Sequence, residues 1–449
     1  MLFRSKGKRL LVALACLAAA CTPGGEAPPR GSGPPAGAAA HGDAGGVVFG
    51  VLGDTSTLDP YSPLASDLTH ALVRPLFPSL FRFDPHGRPR AMLARSMTET
   101  DRGVRITLRR ARWSNGRPIT ARDVVASARR AGPPSGLAAV SSARAIGIRR
   151  VGLRGAPADW RRTLATAGPI LPEGGRVRPG GVFGGPFQLS SFTPGLEAVY
   201  RPNPRWWGPE PRAKLIKVQF IQDLEIMLAL LGSGRLDGAA PPSSVNLAQR
   251  LDAIGVRHSS ALGWESLWFD LEGARLDDFG RVGVARAIDR AALERGFVRT
   301  HGRLAATLHP GPGPAGAEGG WRRPPPPAAA TAPAPLQIAV AGGDELAELV
   351  QRASRLQLED AGYAVEVVSA DAATFYGPWS RGDPMDIAIR RSSGVPGLTD
   401  DSAALEASLA VPFAQVETFV AWGEGLTGPQ ANPTLDGPLW NLERWRLTS

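Results

Sequence analysis

A β-α-β pattern in the second half of the chain constrains its fold more than any other feature. Leu336 to Ala341 and Tyr363 to Val368 are short apolar runs typical of buried strands. Between them, Glu345 to Ala361 places apolar side chains at roughly helical spacing, so the predicted helix should lay one face on a sheet. The pattern predicts an α/β architecture.

Two further apolar runs extend this prediction to both halves of the chain. Val47 to Leu52, bounded by Gly53 and Asp54, reads as a short buried strand, and Met385 to Ile389 offers another. The tether-like stretch from Gly311 to Pro335 contains four consecutive prolines and divides the body. We therefore expect α/β structure in more than one lobe.

The N-terminus has the composition of an export signal. Basic residues from Arg4 to Arg9 precede an uncharged run from Leu10 to Ala20, and Cys21 directly follows small residues. The run is about half of the roughly 20 residues needed to span a bilayer. We expect residues 1–20 to be a lipoprotein signal peptide. The placement of Cys21 is similar to the bacterial lipobox and predicts its lipidation, with an unlipidated secreted chain as the alternative.

Residues 21–45 are predicted to be the lipidated cysteine and a flexible tether. They are almost wholly Gly, Pro, Ala and small polar residues, which bury too little apolar surface to offset the entropy of ordering. Both cysteines, Cys16 and Cys21, lie at the processing site, so none remains for a disulfide. The body must rely on its core, and at about 400 residues it is long enough for two or three domains.

The charge of the chain is modestly positive. Its formal value falls from +10 to +6 on processing, because the four basic residues of the leader leave and no acid goes with them. The arginines are scattered among acids and form no dense block with stacking aromatics, which argues against nucleic acid as a partner. We interpret them as solvated surface, with attraction to an anionic membrane or an acidic ligand as a secondary benefit.

Sequence motifs for catalysis or metal binding are missing. The six histidines have no metal-ligand spacing, and no nucleophile elbow or phosphate-binding loop occurs. Neighbouring acids such as Asp277-Asp278 and Asp400-Asp401 are typical of loops or helix caps. We expect no catalytic residue, no metal and no cofactor, and a protein that is not an enzyme.

One segment combines a tight turn with a helix start. In Trp113 to Ser127, Asn115-Gly116 is a turn dipeptide and Thr120 is a good N-cap residue. Asp123, at the third helical position, can complete a capping box before an apolar helix face. The segment predicts scaffold in which Trp113 packs.

Four sets of segments together resemble a known family. They are Thr57 to Pro60; Trp113 to Ser127; Gly185 to Phe187 with Arg201 to Gly208 and Leu230 to Asp237; and Trp264 to Leu271 with Val284 to Arg290. In order and content they resemble the family 5 extracellular solute-binding proteins, which include the oligopeptide- and dipeptide-binding proteins of ABC importers. They cover most of residues 46 to 300.

The resemblance implies a fold and a domain organisation. The fold is an α/β, two-lobed periplasmic-binding-protein type II fold, similar to cluster C, with an extra subdomain in lobe 1. Segments usual in the family are shortened here, which predicts a reduced lobe 2. Lobe 1 is expected at 46–262 with a subdomain at about 61–179, lobe 2 at 263–418 with the Pro-rich segment 311–335, and a return to lobe 1 at 419–449.

The same resemblance implies a ligand cleft between hinging lobes. The expected cleft residues are Gly53, Asp54, Thr55, Ser56 and Thr57 in lobe 1, Trp264 and Trp268 near the crossover, and Arg390, Arg391, Ser392 and Ser393 in lobe 2. The family's partner for a peptide amino terminus resembles an Asp in a Gly-Trp-x-x-Asp passage, where this chain has Arg390 to Gly394 instead. These arginines would favour an anionic group by bidentate pairing, unless they are exposed structural arginines.

The predicted function is that of a solute-binding lipoprotein of an ABC importer. It would capture oligopeptides or similar solutes on the outer face of the cytoplasmic membrane, or in the periplasm, and deliver them to permease subunits. We expect a monomer attached to the membrane through its lipid anchor. A sensor or interaction lipoprotein with the same fold and an exported hydrolase are the alternatives, and a nickel chelate or a sugar could replace the peptide.

Overall fold

A computed structural model describes residues 46–131, 135–157, 159–273, 275–309, 320–326, 335–376, 379, 385–393 and 401–448. The predicted leader, Cys21 and the predicted tether lie outside the described residues, as does most of the Pro-rich segment. No helix in the part of the chain that the structure describes is long and apolar enough to cross a membrane.

The chain alternates short strands and helices. The strands are β1 (Val47–Leu52), β2 (Phe81–Phe83), β3 (Pro89–Ala91), β4 (Ala94–Thr100), β5 (Gly103–Leu108), β6 (Ser142–Gly147), β7 (Arg150–Arg154), β8 (Phe187–Thr193), β9 (Glu197–Pro202), β10 (Ile216–Ile221), β11 (Gly238–Ala240), β12 (Arg257–Asp270), β13 (Gly302–Leu304), β14 (Leu336–Ala341), β15 (Val365–Ala370), β16 (Ile387–Ser393), β17 (Ala410–Trp422), β18 (Leu426–Thr427) and β19 (Arg446–Leu447). The helices are α1 (Asp67–Val73), α2 (Ala121–Arg130), α3 (Trp160–Ala165), α4 (Leu224–Gly232), α5 (Leu247–Ala253), α6 (Asp278–Ala287), α7 (Arg290–Phe297), α8 (Glu345–Asp360), α9 (Ala372–Tyr376) and α10 (Ser402–Glu406), with 3₁₀ turns at Gly136–Ala139 and Leu442–Arg444.

Two long antiparallel strands, β12 and β17, lie at the centre of the largest described sheet. Its order is β15-β14-β16-β12-β17-β11-β1-β10-β9-β8, and β13 pairs with β17 beside this path. The pairing of β12 with β17 extends from Arg257 opposite Trp422 to Asp270 opposite Ala410. This pair therefore links the strands on one side of the sheet to those on the other.

The two ends of the pair belong to different hydrophobic cores. Trp264 and Val420 pack in a core with Phe49, Trp113 and Tyr200, which we call lobe 1. Leu267, Phe269 and Phe413 pack in a second core with Val350, which we call lobe 2. The fold-class prediction of an α/β protein is confirmed, whereas the domain boundaries and the reduced size of lobe 2 stay predictions.

The local predictions from apolar pattern agree closely with the structure. β1 and β14 have the predicted bounds, and α8 ends at Asp360, one residue early. β15 begins at Val365 rather than at Tyr363, because Gly362 turns the chain with φ +93° and the Tyr363 N–H still bonds the helix carbonyl of Leu358. β14 and β15 are parallel, as the crossover through α8 requires.

The last predicted strand starts later and extends further than expected. β16 covers Ile387–Ser393 instead of Met385 to Ile389. Residues 390–393, which lie beyond the predicted strand, are therefore part of β16 and pair with β12. The apolar run ends at Ile389, but β16 continues beyond it because these residues still pair with β12.

The turn and capping box predicted for Trp113 to Ser127 are confirmed. Gly116 has φ +87°, and the Thr120 N–H donates to the Asp123 carboxylate at 2.8 Å. The Asp123 carboxylate is buried and also accepts the Glu173 N–H at 3.0 Å, which ties α2 to a loop fifty residues away. This buried carboxylate therefore joins separate segments of lobe 1 through its hydrogen bonds.

We expect Asp123→Ala to lower the free energy of unfolding by about 2–4 kcal/mol, because the buried donors that it leaves would have no acceptor. Chemical denaturation measures the change. Asp278→Ala, which removes an exposed carboxylate, is the control and should cost less than about 0.5 kcal/mol. An equal loss of unfolding free energy in the two variants would show that the hydrogen bonds of Asp123 do not stabilise lobe 1.

Candidate functional site

The candidate site lies where β12 passes from lobe 1 to lobe 2. The register of β12 against β17 shifts between Leu262 and Ser266. Within this irregular part of the strand, Gly263 O accepts from the Gln415 side chain at 2.6 Å, and the Trp264 N–H donates to Pro433 O at 2.7 Å. Such irregularities re-aim side chains, and here the side chain that is turned toward lobe 2 is Glu265.

Arg391 of β16 joins three parts of the chain at this point. Its Nε and Nη2 donate to the Asp344 carboxylate at 2.7 and 2.8 Å, and its Nη1 donates to Glu265. Nη2 also donates to Ser243 O at 3.1 Å, in the lobe 1 segment after β11. Arg391 therefore connects the N-cap of α8, the crossing strand and lobe 1.

The charge of Arg391 is strongly stabilised. Burial opposes a cation here, but the carboxylates of Asp344 and Glu265 outweigh that cost and raise the pKa of Arg391. Bidentate pairing with Asp344 adds directional hydrogen bonds to the charge attraction. The guanidinium group is thus held as a fixed positive element of the lobe boundary.

Asp67 makes a second link between the lobes. It is the first residue of α1 in lobe 1, and its Oδ2 accepts the Ser393 N–H of lobe 2 at 3.0 Å. Desolvation by the surrounding protein and the negative charge of Glu265 raise the pKa of Asp67 to about 6, although the Ser393 hydrogen bond opposes the shift. Asp67 is exposed as a whole residue, so a ligand can approach this position.

The predicted lobe 1 segment, Gly53 to Thr57, lies next to α1. Gly53 donates its N–H to Ile221 O at 2.7 Å, and the buried Thr55 hydroxyl lies 2.6 Å from the Thr69 hydroxyl of α1. Ser56 is exposed, and Asp54 and Thr57 are half-buried. The segment therefore reaches the lobe boundary through α1, the helix that carries Asp67.

The two predicted tryptophans have packing roles. The Trp264 ring is 4% exposed and packs edge-on against Phe83, with 4.7 Å between ring centroids. Trp268 is half-buried and packs against the small cluster of Leu308, Leu405 and Ala410. Their contribution to a ligand site stays a prediction.

The two predicted arginines differ in their surroundings. Arg390 pairs with Asp270, and its guanidinium carbon lies 5.5 Å from the centre of the Phe375 ring. Arg390 and Arg391 both have carboxylate partners from the chain itself, and their contact with an anionic solute stays a prediction. The side chain of Ser392 lies outside the described part of the structure.

Contacts around Arg391 extend the lobe boundary. Arg250 of α5 pairs with Glu345 of α8 at 2.8 Å. Gly343 has φ +85°, and a Cβ at this position would lie 2.6 Å from Gln222 O of lobe 1. A side chain at residue 343 would therefore separate the lobes, and only glycine permits this approach.

Sequence reasoning missed Asp67, Glu265, Asp344 and Ser243. Asp67 reads as an ordinary acidic residue in the first turn of a helix, and Asp344 reads as an N-cap, which it also is. Glu265 carries a weak signal, because it is a charged residue inside the apolar run of the crossing strand. Among the described residues, no group of three or more His, Cys, Asp or Glu side chains is placed to hold a metal ion.

Comparisons with known sequences identify one family. The family model "Bacterial extracellular solute-binding proteins, family 5 Middle" matches residues 88–408. Oligopeptide-binding protein OppA of Mycobacterium tuberculosis is 29% identical over 212 residues, 41% of this chain and 35% of that protein. Protein XP55 of Streptomyces lividans is 29% identical over 303 residues, 62% of this chain and 52% of that protein. The matches thus span about a third to a half of the length of these curated relatives.

Solved structures share the fold at low sequence identity. AppA of Bacillus subtilis in complex with a nonapeptide has a TM-score of 0.73 at 15% identity, covering 90% of this chain and 99% of that one. NikA of Staphylococcus aureus in complex with Ni(L-His)2 has a TM-score of 0.73 at 14% identity, covering 90% and 100%. The EDTA-binding protein EppA has a TM-score of 0.71 at 17% identity, covering 91% and 98%.

We expect Arg391→Met to lower the free energy of unfolding by about 3–5 kcal/mol, because it leaves two largely buried carboxylates without their cation. Arg250→Met removes a more exposed cation that also bridges the lobes, and should cost less than about 1 kcal/mol. Urea titration of both variants checks the difference. A cost for Arg391→Met no larger than for Arg250→Met would rule out the proposed stabilising role.

Asp67→Asn should stabilise the protein at pH 7.5 and have little effect near pH 4. The folded chain holds the Asp67 proton more tightly than the unfolded chain, so this group favours folding at low pH and loses that contribution as pH rises through about 6. Thermal unfolding at the two pH values tests this, with Asp101→Asn in an exposed turn as the control. A pH-independent effect of Asp67→Asn would contradict the raised pKa.

Proposed function

The chain belongs to the family 5 bacterial extracellular solute-binding proteins, and we propose that it captures an oligopeptide or a related solute between its two lobes. The observation that carries this proposal is the meeting of polar groups from both lobes at the crossing strands. Asp67 and Ser243 come from lobe 1, Arg391 and Ser393 from lobe 2, and Glu265 from the crossing strand itself.

The position of these groups fits a ligand cleft. β1 in lobe 1 and β14 and β16 in lobe 2 have parallel neighbours, and the groups lie at or beyond the carboxyl ends of such strands. Ligands of open α/β sheets bind at this edge. A solute that touches both lobes would stabilise their approach, because only the closed arrangement makes all of its contacts.

An extended peptide suits the chemistry of this region. Its main chain can pair as a strand edge does, with its side chains in roomier pockets. Asp67 is a fitting partner for the amino terminus, because a bound cation would offset the cost of keeping this carboxylate charged. OppA and AppA are named as oligopeptide-binding proteins, and NikA is described in complex with Ni(L-His)2. These similarities support a peptide or a related solute for the present chain.

Delivery and location belong to the same proposal. We infer that Cys21 is lipidated after cleavage of residues 1–20, that the tether holds the monomer at the outer face of the cytoplasmic membrane, and that permease subunits of an ABC importer receive the solute. The export signal read from the sequence and the family membership support this arrangement. Capture and delivery require no catalytic residue, cofactor or nucleic acid.

A second candidate function is a sensor or interaction lipoprotein. Arg391 directs its donors to Ser243, Glu265 and Asp344, so groups of the chain itself already bridge the two lobes. A binder with such internal contacts can transmit a signal through a change in lobe arrangement without passing a solute to a permease.

We expect peptides to raise the thermal unfolding midpoint of residues 21–449 carrying Cys21→Ser. A solute at 100 times its Kd adds about 2.7 kcal/mol, which shifts the midpoint by a few degrees. Pooled di- to penta-peptides, their N-acetylated forms, anionic sugars and metal chelates are compared. A shift with free peptides that is lost on N-acetylation and in Asp67→Asn supports the proposal.

Two other outcomes are informative. A shift with chelates or sugars alone would replace the peptide with that class of solute. A folded protein that responds to none of these sets would favour the sensor or interaction function.

A further inference from the structure

A small antiparallel sheet in lobe 1 collects arginines on one face. Its strand order is β4-β5-β7-β6. Val104, Ile106, Val151 and Leu153 of β5 and β7 are buried in the core of lobe 1, so the alternate residues point away from it. The outward residues in register are Ser96, Thr98, Thr100, Gly103, Arg105, Thr107, Ser142, Arg144, Arg150, Gly152 and Arg154.

We call this surface the arginine face. Its four arginines, Arg105, Arg144, Arg150 and Arg154, are all exposed, and none forms an ion pair with a described residue. The nearest acids in the sequence of these strands are placed elsewhere: Glu99 pairs with Val104 on the opposite side, and Asp101 lies in the turn after β4. The face therefore combines unneutralised guanidinium groups with hydroxyls and glycines.

The hairpin of β6 and β7 adds apolar side chains to the edge of this face. Ile146 is 39% exposed, and a Cβ on the outward Gly152 would lie 3.0 Å from its Cδ1. Ile148, in the turn of the same hairpin, is 76% exposed. Among the described residues, Ile148 is the most exposed large hydrophobic side chain.

This combination distinguishes between two anionic partners. Single-stranded nucleic acids are bound on basic surfaces that also carry stacking aromatics, and the outward residues include no aromatic. Lipid bilayers are bound by basic residues that pair with headgroup phosphates and by nearby apolar side chains that enter the interface. Exposed isoleucines next to guanidinium groups fit the second case.

We propose that the arginine face docks on the surface of an anionic phospholipid membrane, with Ile148 inserted among the headgroups. The proposed lipid at Cys21 would keep the body near such a surface, so even a weak attraction by the face would be sufficient to orient it. The docking is independent of which solute the protein binds.

Vesicle binding of residues 21–449 carrying Cys21→Ser tests the docking without the acyl anchor. Vesicles of phosphatidylcholine with 30% phosphatidylglycerol should bind this chain, whereas pure phosphatidylcholine vesicles should bind it far more weakly. Each arginine near an anionic surface contributes roughly fivefold to partitioning. Replacing Arg105, Arg144, Arg150 and Arg154 with Gln should therefore reduce binding several hundredfold. Ile148→Ser should reduce binding severalfold, and this reduction should be larger in high salt.

A charge-matched variant provides the control. Arg201→Gln, Arg235→Gln, Arg295→Gln and Arg299→Gln remove the same charge from exposed positions outside the face, and should reduce binding less than about fivefold in total. Near-ultraviolet circular dichroism confirms that all variants are folded. Equal losses in the two quadruple variants, or binding to RNA but not to anionic vesicles, would overturn the proposal.

Discussion

The pairing of β12 with β17 is the interaction on which the rest of the structure depends. Each strand contributes apolar residues to both cores, as Trp264 and Leu267 do within three residues of β12. Eleven of the described strands share one continuous hydrogen-bonded sheet through this pair, so each lobe is built on a strand that also belongs to the other. Any movement between the lobes must be accommodated in the irregular pairing at Leu262 to Ser266.

The charged groups at the crossing strands differ in how well their charges are compensated. Arg391 has carboxylate partners in good geometry and therefore acts as a fixed element of the boundary. Asp67 has the backbone and side-chain donors of Ser393 and the charge of Glu265 nearby, and its pKa is raised to about 6. A cationic group of a solute would supply what Asp67 lacks, which connects the structure of the boundary to the proposed choice of ligand.

Local patterns in the sequence predict local structure well and long-range placement poorly. β1, α8 and the capping box at Thr120 follow from spacing and turn chemistry that act within a few residues. Arg391 was found as a candidate, but its partners come from residues 243, 265 and 344, which no local pattern relates to it. The arginine face is hidden for the same reason, because pairing of strands between residues 94 and 154 places arginines that are scattered in the sequence on one surface.

The central claim, that a solute draws the two lobes together about the crossing strands, is tested most directly by a distance between them. After removal of the leader and with Cys21→Ser the chain has no cysteine, so single cysteines that carry spin labels can be introduced at Glu99 in lobe 1 and Glu366 in lobe 2, both exposed. Pulsed electron paramagnetic resonance then measures the distance between the two labels with and without a solute that raises the unfolding midpoint. We predict a shift to one narrower and shorter distance distribution, and an unchanged distribution with a bound solute would contradict the account.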